Sequence, residues 1–343
     1  MSFNNPINII CGENNAGKTS ILEAIYFTSN LRSFKSISNI DLIQKNKKQF
    51  KISLNFIQNH INNNIFVEKS LNASKCLYNT KKLKKSELSF KFPCYSLVFG
   101  FNNILLNDSS YRRDFLDSGM FHVEPSSVKL HASYERTLKQ RNFLLKSRQF
   151  DSLDLWDEKL VAANSDLSNA RYNYFQILDK EFNNILANIS QQFPELYDDI
   201  SSLKLHYYPG WENETSFRDT LKNSFSKDSN LGYTSVGSHR SDIILYSCGK
   251  SVKGSGSMST LVLSCLILNL AKIEAFHVKH GYKPTLLIDD LFFGIDNKNL
   301  GTVVKLLVHS KGNIVLTAPN IYKGLLEEIS EQHRDIDVTV LGK

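Results

Sequence analysis

The sequence predicts an α/β domain split by a helical insertion, and three observations carry that prediction. Ile7 to Cys11 is a short β-branched run that meets a glycine loop and then a helical pattern. Leu286 to Asp290 is an apolar strand closed by two acids. Between them the hydrophobic period changes from alternating to helical and back. The chain has 343 residues, 41% of them hydrophobic, enough for about two domains with a substantial core, which excludes a disordered chain.

From Lys18 onward Ile21, Leu22, Ile25 and Tyr26 recur at helical spacing, so the first elements are strand, glycine loop, helix. From Phe50 to Phe101 short alternating runs (Ile52, Leu54, Phe56; Ile65, Val67) separated by asparagine-rich turns read as antiparallel strands. Between Ser126 and Phe193, Leu160, Ala163, Leu167, Ala170, Tyr174 and Ile177 fall three or four apart on one face. That spacing predicts two long helices, broken near Asp151 to Asp154 and ended by Pro194. From Thr234 strands and helices alternate again: a helix from Leu261 to Phe276, a buried strand from Thr285 to Ile288, a helix from Leu300 to His309 and a strand from Ile314 to Leu316. The chain shows no internal repeat and no low-complexity linker.

Lys and Arg number 41 against 34 Asp and Glu, a net of +7, but residues 31–100 hold 13 bases and three acids, a net of +10 on their own. A polyanionic partner at the antiparallel strands is one reading, with Lys81-Lys82-Leu83-Lys84-Lys85 at or near a hairpin tip. The other is that these lysines keep edge strands soluble. Arg136, Lys139, Arg141, Lys146 and Arg148 form a second basic stretch, read as a solvated helix face. The longest apolar run, Leu261 to Leu270, is interrupted by Ser264 and Asn269 and falls short of the ~20 residues of a membrane span, so a soluble protein is expected. Met1 to Asn5 lacks the character of an export signal. Five cysteines without a CxxC pair predict reduced thiols in a cytoplasmic protein and no structural zinc. Trp156 and Trp211 read as core anchors, and His239 and His277 as surface or cap residues.

Gly12 to Thr19, GENNAGKT, fits the GxxxxGK[ST] pattern of a phosphate-binding loop. Its glycines let the backbone curl so that successive N–H groups of Gly12, Glu13, Asn14, Asn15, Ala16, Gly17, Lys18, Thr19 and Ser20 converge on an anion. The helix N-terminus adds its partial positive charge. Lys18 would reach the β and γ phosphates of a nucleotide, and the Thr19 hydroxyl would ligate Mg²⁺. An apolar strand buried on both faces carries its terminal acids to the carboxyl edge of the sheet beside this loop. Asp289 would therefore hold Mg²⁺ through water, and Asp290 would orient or deprotonate an attacking water. The alternative for the two acids is helix capping or plain surface charge.

Six segments together resemble the RecF family: GENNAGKTSILEAIY (Gly12 to Tyr26), YRRDFLDSGMFH (Tyr111 to His122), LKQRN (Leu138 to Asn142), GWENET (Gly210 to Thr215), GSHRSD (Gly237 to Asp242) and LLIDD (Leu286 to Asp290). They occur in the family's order, and the likeness runs from Pro6 to Val315. The resemblance implies a P-loop ATPase head of the ABC and Rad50 type with an antiparallel β subdomain and an inserted helical lobe. The boundaries then read 1–108 and 226–343 for the two parts of the head and 109–225 for the lobe. It also implies an ATP-dependent homodimeric clamp on single- and double-stranded DNA, without sequence specificity, reset by slow hydrolysis of ATP. Such a clamp acts with RecO and RecR to load RecA at gaps. Carried over by position, Asp296 in GID would lie at the dimer seam and Thr317 in LTAPN at the switch position that senses the γ-phosphate.

Three departures from the family pattern stand out. Its signature motif, approximately LSxGQ, is matched by Gly256-Ser257-Met258-Ser259-Thr260: Ser257 keeps the phosphate-facing hydroxyl, but Ser259 replaces the glycine that lets the backbone approach. Only 11 residues precede Gly12, where the family has an extra strand bearing a nucleotide-contacting arginine. The chain therefore reads as shortened, with an open sheet edge expected beside Ile7 to Cys11. Tyr95 to Asn103 has drifted from the pattern of a Gln-type switch loop. Two other functions stay open: a scaffold that binds DNA or RecR with impaired ATP-driven dimerisation, and a transporter ATPase subunit, which the helical insertion and the missing signature disfavour.

Overall fold

The computed structural model describes residues 1–342 except 36–37, 59, 72, 99–103, 198–199, 213–214, 293 and 296. In chain order the elements are β1 (Ile7–Gly12), α1 (Lys18–Asn30), β2 (Gln49–Gln58), β3 (Ile61–Ser70), β4 (Ser74–Tyr78), β5 (Lys81–Lys82), α2 (Lys85–Lys91), β6 (Cys94–Val98), α3 (Ser109–Val123), α4 (Ser127–Ser147), α5 (Leu153–Gln192) and α6 (Pro194–Tyr197). There follow β7 (Lys204–Tyr208), α7 (Phe217–Asn223), α8 (Phe225–Leu231), β8 (Asp242–Ser247), β9 (Lys250–Ser251), α9 (Val252–Ser255), α10 (Met258–His280), β10 (Thr285–Asp289), α11 (Asn297–His309), β11 (Asn313–Pro319), α12 (Lys323–Gln332) and β12 (Ile336–Val340). They form two compact units, one of residues 1–103, 193–196 and 282–343, the other of residues 104–192 and 197–281.

The first unit is built on a parallel sheet in the order β12-β1-β11-β10-β6. Every residue of β1 is buried, as a β-branched strand covered on both faces must be. Helix α1 packs Leu22, Ile25 and Tyr26 onto Ile10, Leu287 and Val315, so the periodic face read from the sequence is the one that meets the sheet. The open edge expected beside β1 does not exist. Strand β12, from the far end of the chain, pairs Ile336 to Val340 in parallel with Ile7 to Cys11. β1 is thereby an interior strand, and no extra N-terminal strand is needed to cover it.

The antiparallel sheet β2-β3-β4-β5 alternates as its sequence does. Ile65, Val67 and Cys76 are buried with Phe27 and Leu88, and Ile52, Leu54 and Phe56 pack against them. Lys51, Ser53 and Asn55 face outward. Lys81 and Lys82 follow the turn at Asn79 and Thr80 and are exposed, near the hairpin tip as expected.

The second unit gathers α3, α4, α5, α7, α8, α9 and α10 around the sheet β7-β8-β9. The long-helix expectation holds, with α4 ending at Ser147 and α5 running 40 residues from Leu153. The sequence boundaries differ in three places: residues 226–281, read as the start of the head's second part, cluster with this unit because α10 packs along α3 and α5, residues 104–108 join it as well, and residues 193–196 of the expected lobe cluster with the first unit. Helix α10 is 23 residues long and apolar enough by length and composition to cross a membrane. Yet 83% of its most apolar window is buried inside the protein, as befits a core helix.

Polar groups organise the rest of this unit. Arg171 makes a bidentate pair with Asp117 (2.7 and 2.8 Å), and Arg112 does the same with Asp242 (2.7 and 2.8 Å). Arg141 is fully buried, donating to Asp157 at 2.6 Å, Asp228 at 2.8 Å and Thr234 at 2.8 Å, so it does not belong to a solvated basic face. Leaving one such partner buried alone costs about 3–5 kcal/mol, which accounts for the arginine and aspartate pattern of these middle segments without any catalytic role. His239 is likewise neither a surface nor a cap residue. Its Nε2–H donates to Thr234 O at 2.9 Å, while Nδ1 accepts from the Tyr134 hydroxyl at 2.7 Å. Trp156 is half-buried against Leu144, Leu145 and Leu153, and Trp211 packs at a tilt against Phe217, ring centres 5.0 Å apart.

Candidate nucleotide-binding site

In the first unit, the carboxyl ends of β1, β11 and β10 lie in a row, and each delivers one part of the site. After β1 the chain curls through Asn15 and Gly17, both with positive φ (68° and 88°), and α1 begins at Lys18 with no side-chain cap on its first turn. An uncapped helix start behind a left-handed glycine directs its N–H groups to a common point. Nothing lies within 4 Å of where a Cβ on Gly17 would stand, so conformation and not crowding is what requires glycine there. Glu13, Asn14, Asn15 and Ser20 are exposed around the loop, and Ala16 N donates to Glu13 O at 3.2 Å, which closes the curl.

Lys18 is buried, and its Nζ donates to Gly12 O and Glu13 O, both at 2.8 Å. The ammonium is folded over the loop, at the mouth of the anion cradle. The Thr19 hydroxyl lies 3.1 Å from both oxygens of Asp289. A hydroxyl and a carboxylate converging beside a phosphate loop are the hard oxygen donors that Mg²⁺ takes when nucleotide phosphates complete its shell. The residues present therefore fit both ATP and Mg²⁺.

Strand β11 lies between the loop strand and β10, and Thr317 bridges the two acids. Its hydroxyl donates to Asp289 Oδ1 at 2.8 Å and accepts from the Asp290 N–H at 3.0 Å. Thr317 is fully buried, and its hydroxyl is engaged by the Asp289 carboxylate and the Asp290 backbone N–H. Asp290 itself adopts φ 56°, turning the chain sharply after β10. Partial burial and the neighbouring Asp289 raise its carboxyl above the ordinary range, with Lys18 and Lys35 opposing. Beside it opens a cleft of about 410 Å³ lined by Asn14, Asp290, Phe292, Gly294, Ile295, Pro319 and Tyr322.

Sequence reading missed three contributors. Phe292 and Tyr322 stack at 5.1 Å along the cleft. Lys35, counted only as bulk charge, acts on Asp290. Its segment is pinned to α1, with Phe34 edge-on to Tyr26 at 5.4 Å and the Ser33 hydroxyl donating to Glu23. Its signal in the sequence is a lysine just after the loop's own helix. Two expected members cannot be compared: Asp296 and the segment 99–103 of the switch-loop region lie outside the described residues. Ser257, in the second unit, caps α10, its Oγ accepting from Thr260 N at 3.1 Å and lying 2.8 Å from the Thr260 hydroxyl.

A phosphate loop on the first strand of a parallel sheet, an acid pair two strands away and an attached antiparallel sheet define a P-loop ATPase head of the SMC and Rad50 kind. The solved head of an SMC protein from Pyrococcus furiosus superposes with a TM-score of 0.52 at 15% identity, over 98% of this chain and 87% of that one. The recombination mediator RecF bound to ATPγS superposes with a TM-score of 0.76 at 24% identity, over 93% and 88%. The DNA replication and repair protein RecF of Coxiella burnetii is 31% identical over 313 residues, 90% of this chain and 85% of its own length. That of Pseudoalteromonas translucida is 29% identical over 320 residues, 92% and 86%. The chain belongs to the RecF family. No protein-family model matches it.

Proposed function

We propose that this chain is an ATP-gated DNA-binding protein of replication and repair, which closes as a homodimer over ATP and DNA and works with RecO and RecR in loading RecA. The observation that carries this reading is the convergence of Lys18, Thr19 and Asp289, with Thr317 tying Asp289 to Asp290. The loop amides from Gly12 to Ser20 and the Lys18 ammonium would hold the phosphates, and Thr19 and Asp289 the magnesium ion. When bound, magnesium neutralises phosphate charge. Asp290, turned toward the cleft, would accept the proton of a water as it attacks. A raised carboxyl pKa suits a base that must take up a proton and return it.

The +10 segment supports DNA contact. Lys45, Lys47, Lys48, Lys81 and Lys82 are exposed on and beside the antiparallel sheet, while Lys51 is paired with Glu68 at 3.2 Å and Lys91 sits 5.7 Å over the Tyr78 ring. Binding through such lysines is phosphate-driven, sequence-independent and steeply salt-dependent. The test is gel filtration and DNA binding with ATP, with ADP and without nucleotide. Tighter DNA binding and a doubled mass with ATP alone are expected, and indifference to nucleotide overturns the gating.

One observation favours a second reading, a scaffold in which ATP-driven closure is weak. The Ser257 hydroxyl is engaged in capping its own helix, and Ser259 stands where glycine would let a phosphate approach the backbone. In that case DNA binding survives without nucleotide and the mass does not change.

A further inference from the structure

Away from the nucleotide site, the end of the second unit where α4 turns into α5 exposes an apolar surface that nothing in the proposed ATPase cycle uses. Phe143 is 61% exposed, Phe150 39%, Phe225 38% and Leu231 44%. Single exposed apolar side chains are ordinary, but these are neighbours. The Phe150 and Phe225 rings meet edge to face at 5.5 Å. The chain after Leu231 runs back along α4, with Gly232 against Lys146 and Thr234 N bonded to Asn142 Oδ1 at 2.8 Å, so Leu231 lies beside the turn of α4 that carries Phe143 and Lys146.

Cations frame this surface. Lys146 shares the exposed face of α4 with Phe143, one turn away, and Arg148 closes the helix. Arg148 holds φ 55°, the left-handed C-cap position where glycine or asparagine is favoured. An arginine there adds charge at the rim of the apolar patch. Beneath the patch Leu144, Leu145 and Leu153 are packed, so the aromatic groups stand on a rigid base.

We propose that Phe143, Phe150, Phe225 and Leu231, with Lys146 and Arg148, form a docking site for an acidic peptide segment of a partner protein that carries aromatic or aliphatic side chains between its carboxylates. The rings take up the apolar side chains and the two cations pair with the acids, which favours such a segment over a neutral or basic one. A nucleic acid would be met by the cations but would leave the three phenylalanines and the leucine without a role.

The test uses the full chain and a fluorescein-labelled peptide in which aspartate alternates with phenylalanine and leucine, followed by fluorescence anisotropy. Saturable binding is expected. It should weaken on the order of tenfold in Phe143→Ser/Phe225→Ser and again in Lys146→Glu/Arg148→Glu, and fall away when the peptide's aspartates are replaced by asparagine. A circular dichroism spectrum and melting temperature matching the original protein show that both variants are folded, and ATP affinity is unchanged because neither pair belongs to the nucleotide unit. Equal binding by the variants, or by the asparagine peptide, overturns the proposal. So does a result in which the peptide fails to bind while the same substitutions weaken binding of an oligothymidylate or self-association in sedimentation, because the surface then belongs to nucleic acid or to a second copy.

Discussion

Replacing Thr317 by valine tests whether the Asp289 carboxylate and the backbone of Asp290 are positioned as one unit. The change keeps shape and volume at a fully buried site but removes the hydroxyl that bonds both the Asp289 carboxylate and the Asp290 backbone N–H. Two bonds go: the hydroxyl donated to Asp289 Oδ1 at 2.8 Å and the Asp290 N–H accepted at 3.0 Å. A hydrogen bond to a charged group contributes about 1.5–3 kcal/mol and an ordinary one about 1, so the valine protein should be destabilised by roughly 2–4 kcal/mol. Serine keeps both bonds and loses one methyl group, a cost of about 1 kcal/mol. Urea unfolding at neutral pH reads the stability difference, and steady-state hydrolysis of ATP reads the function. Loss of a residue that orients a metal-binding carboxylate typically costs about 10- to 100-fold, which is expected for valine and not for serine. A valine protein within about 0.5 kcal/mol of the original, or a serine protein that loses more hydrolysis than valine, would refute the argument.

Lys18→Met removes the ammonium that donates to Gly12 O and Glu13 O; two charge-assisted bonds' worth of phosphate contact predicts at least about a hundredfold loss of ATP affinity by fluorescent-nucleotide titration, with the circular dichroism spectrum preserved. Ser259→Gly should tighten ATP-dependent self-association in sedimentation equilibrium, and an identical dimer constant would remove the degenerate signature as the weak point. Asp290→Asn should abolish hydrolysis yet raise the melting temperature at pH 7. Its folded carboxyl pKa is raised, so the native state gains stability as pH falls through that pKa and is held back above it, and asparagine also tolerates φ 56° well; a lower melting temperature contradicts this. His239 has its pKa lowered to about 4, chiefly by burial. Its contribution is intact above the unfolded value of about 6.5 and is lost as pH falls toward 4, up to about 3 kcal/mol in all. His239→Asn should flatten the loss of stability between those limits, and an unchanged slope would show that another group is responsible.

The elements legible in the sequence were those whose signal is local. The glycine loop, the periodic faces of α1 and α5, and the acid pair closing a buried strand each need only a few consecutive residues to be recognised. What escaped depends on partners far apart in the chain. Arg141 looks like a helix-surface cation until Asp157 and Asp228, 16 and 87 residues away, are seen to enclose it. His239 looks like a loop residue until Tyr134, 105 positions earlier, closes over it. Thr317 in the sequence carries no sign of its partners, and only the strand order β1-β11-β10 reveals that its hydroxyl spans Asp289 and the Asp290 backbone.

The same long-range dependence fixes the phosphate loop itself. Strand β12 completes the sheet beside β1, and Leu341 N donates to Cys11 O at 2.8 Å, directly before the loop. A Cβ on Gly12 would stand 3.3 Å from the Cβ atoms of both Ala16 and Leu341, tighter than ordinary contact. Gly12 is therefore required twice, once so that the loop can fold back on Ala16 and once so that the last strand can close against it. Gly17 needs glycine for its dihedral angle alone. An alanine at position 12 would press on Ala16 and Leu341, so the loop or the last strand must give by a few tenths of an ångström, whereas at position 17 the added methyl meets nothing and the cost is strain at one dihedral angle. The geometry of the nucleotide site is thus set as much by the final strand as by the motif near the first.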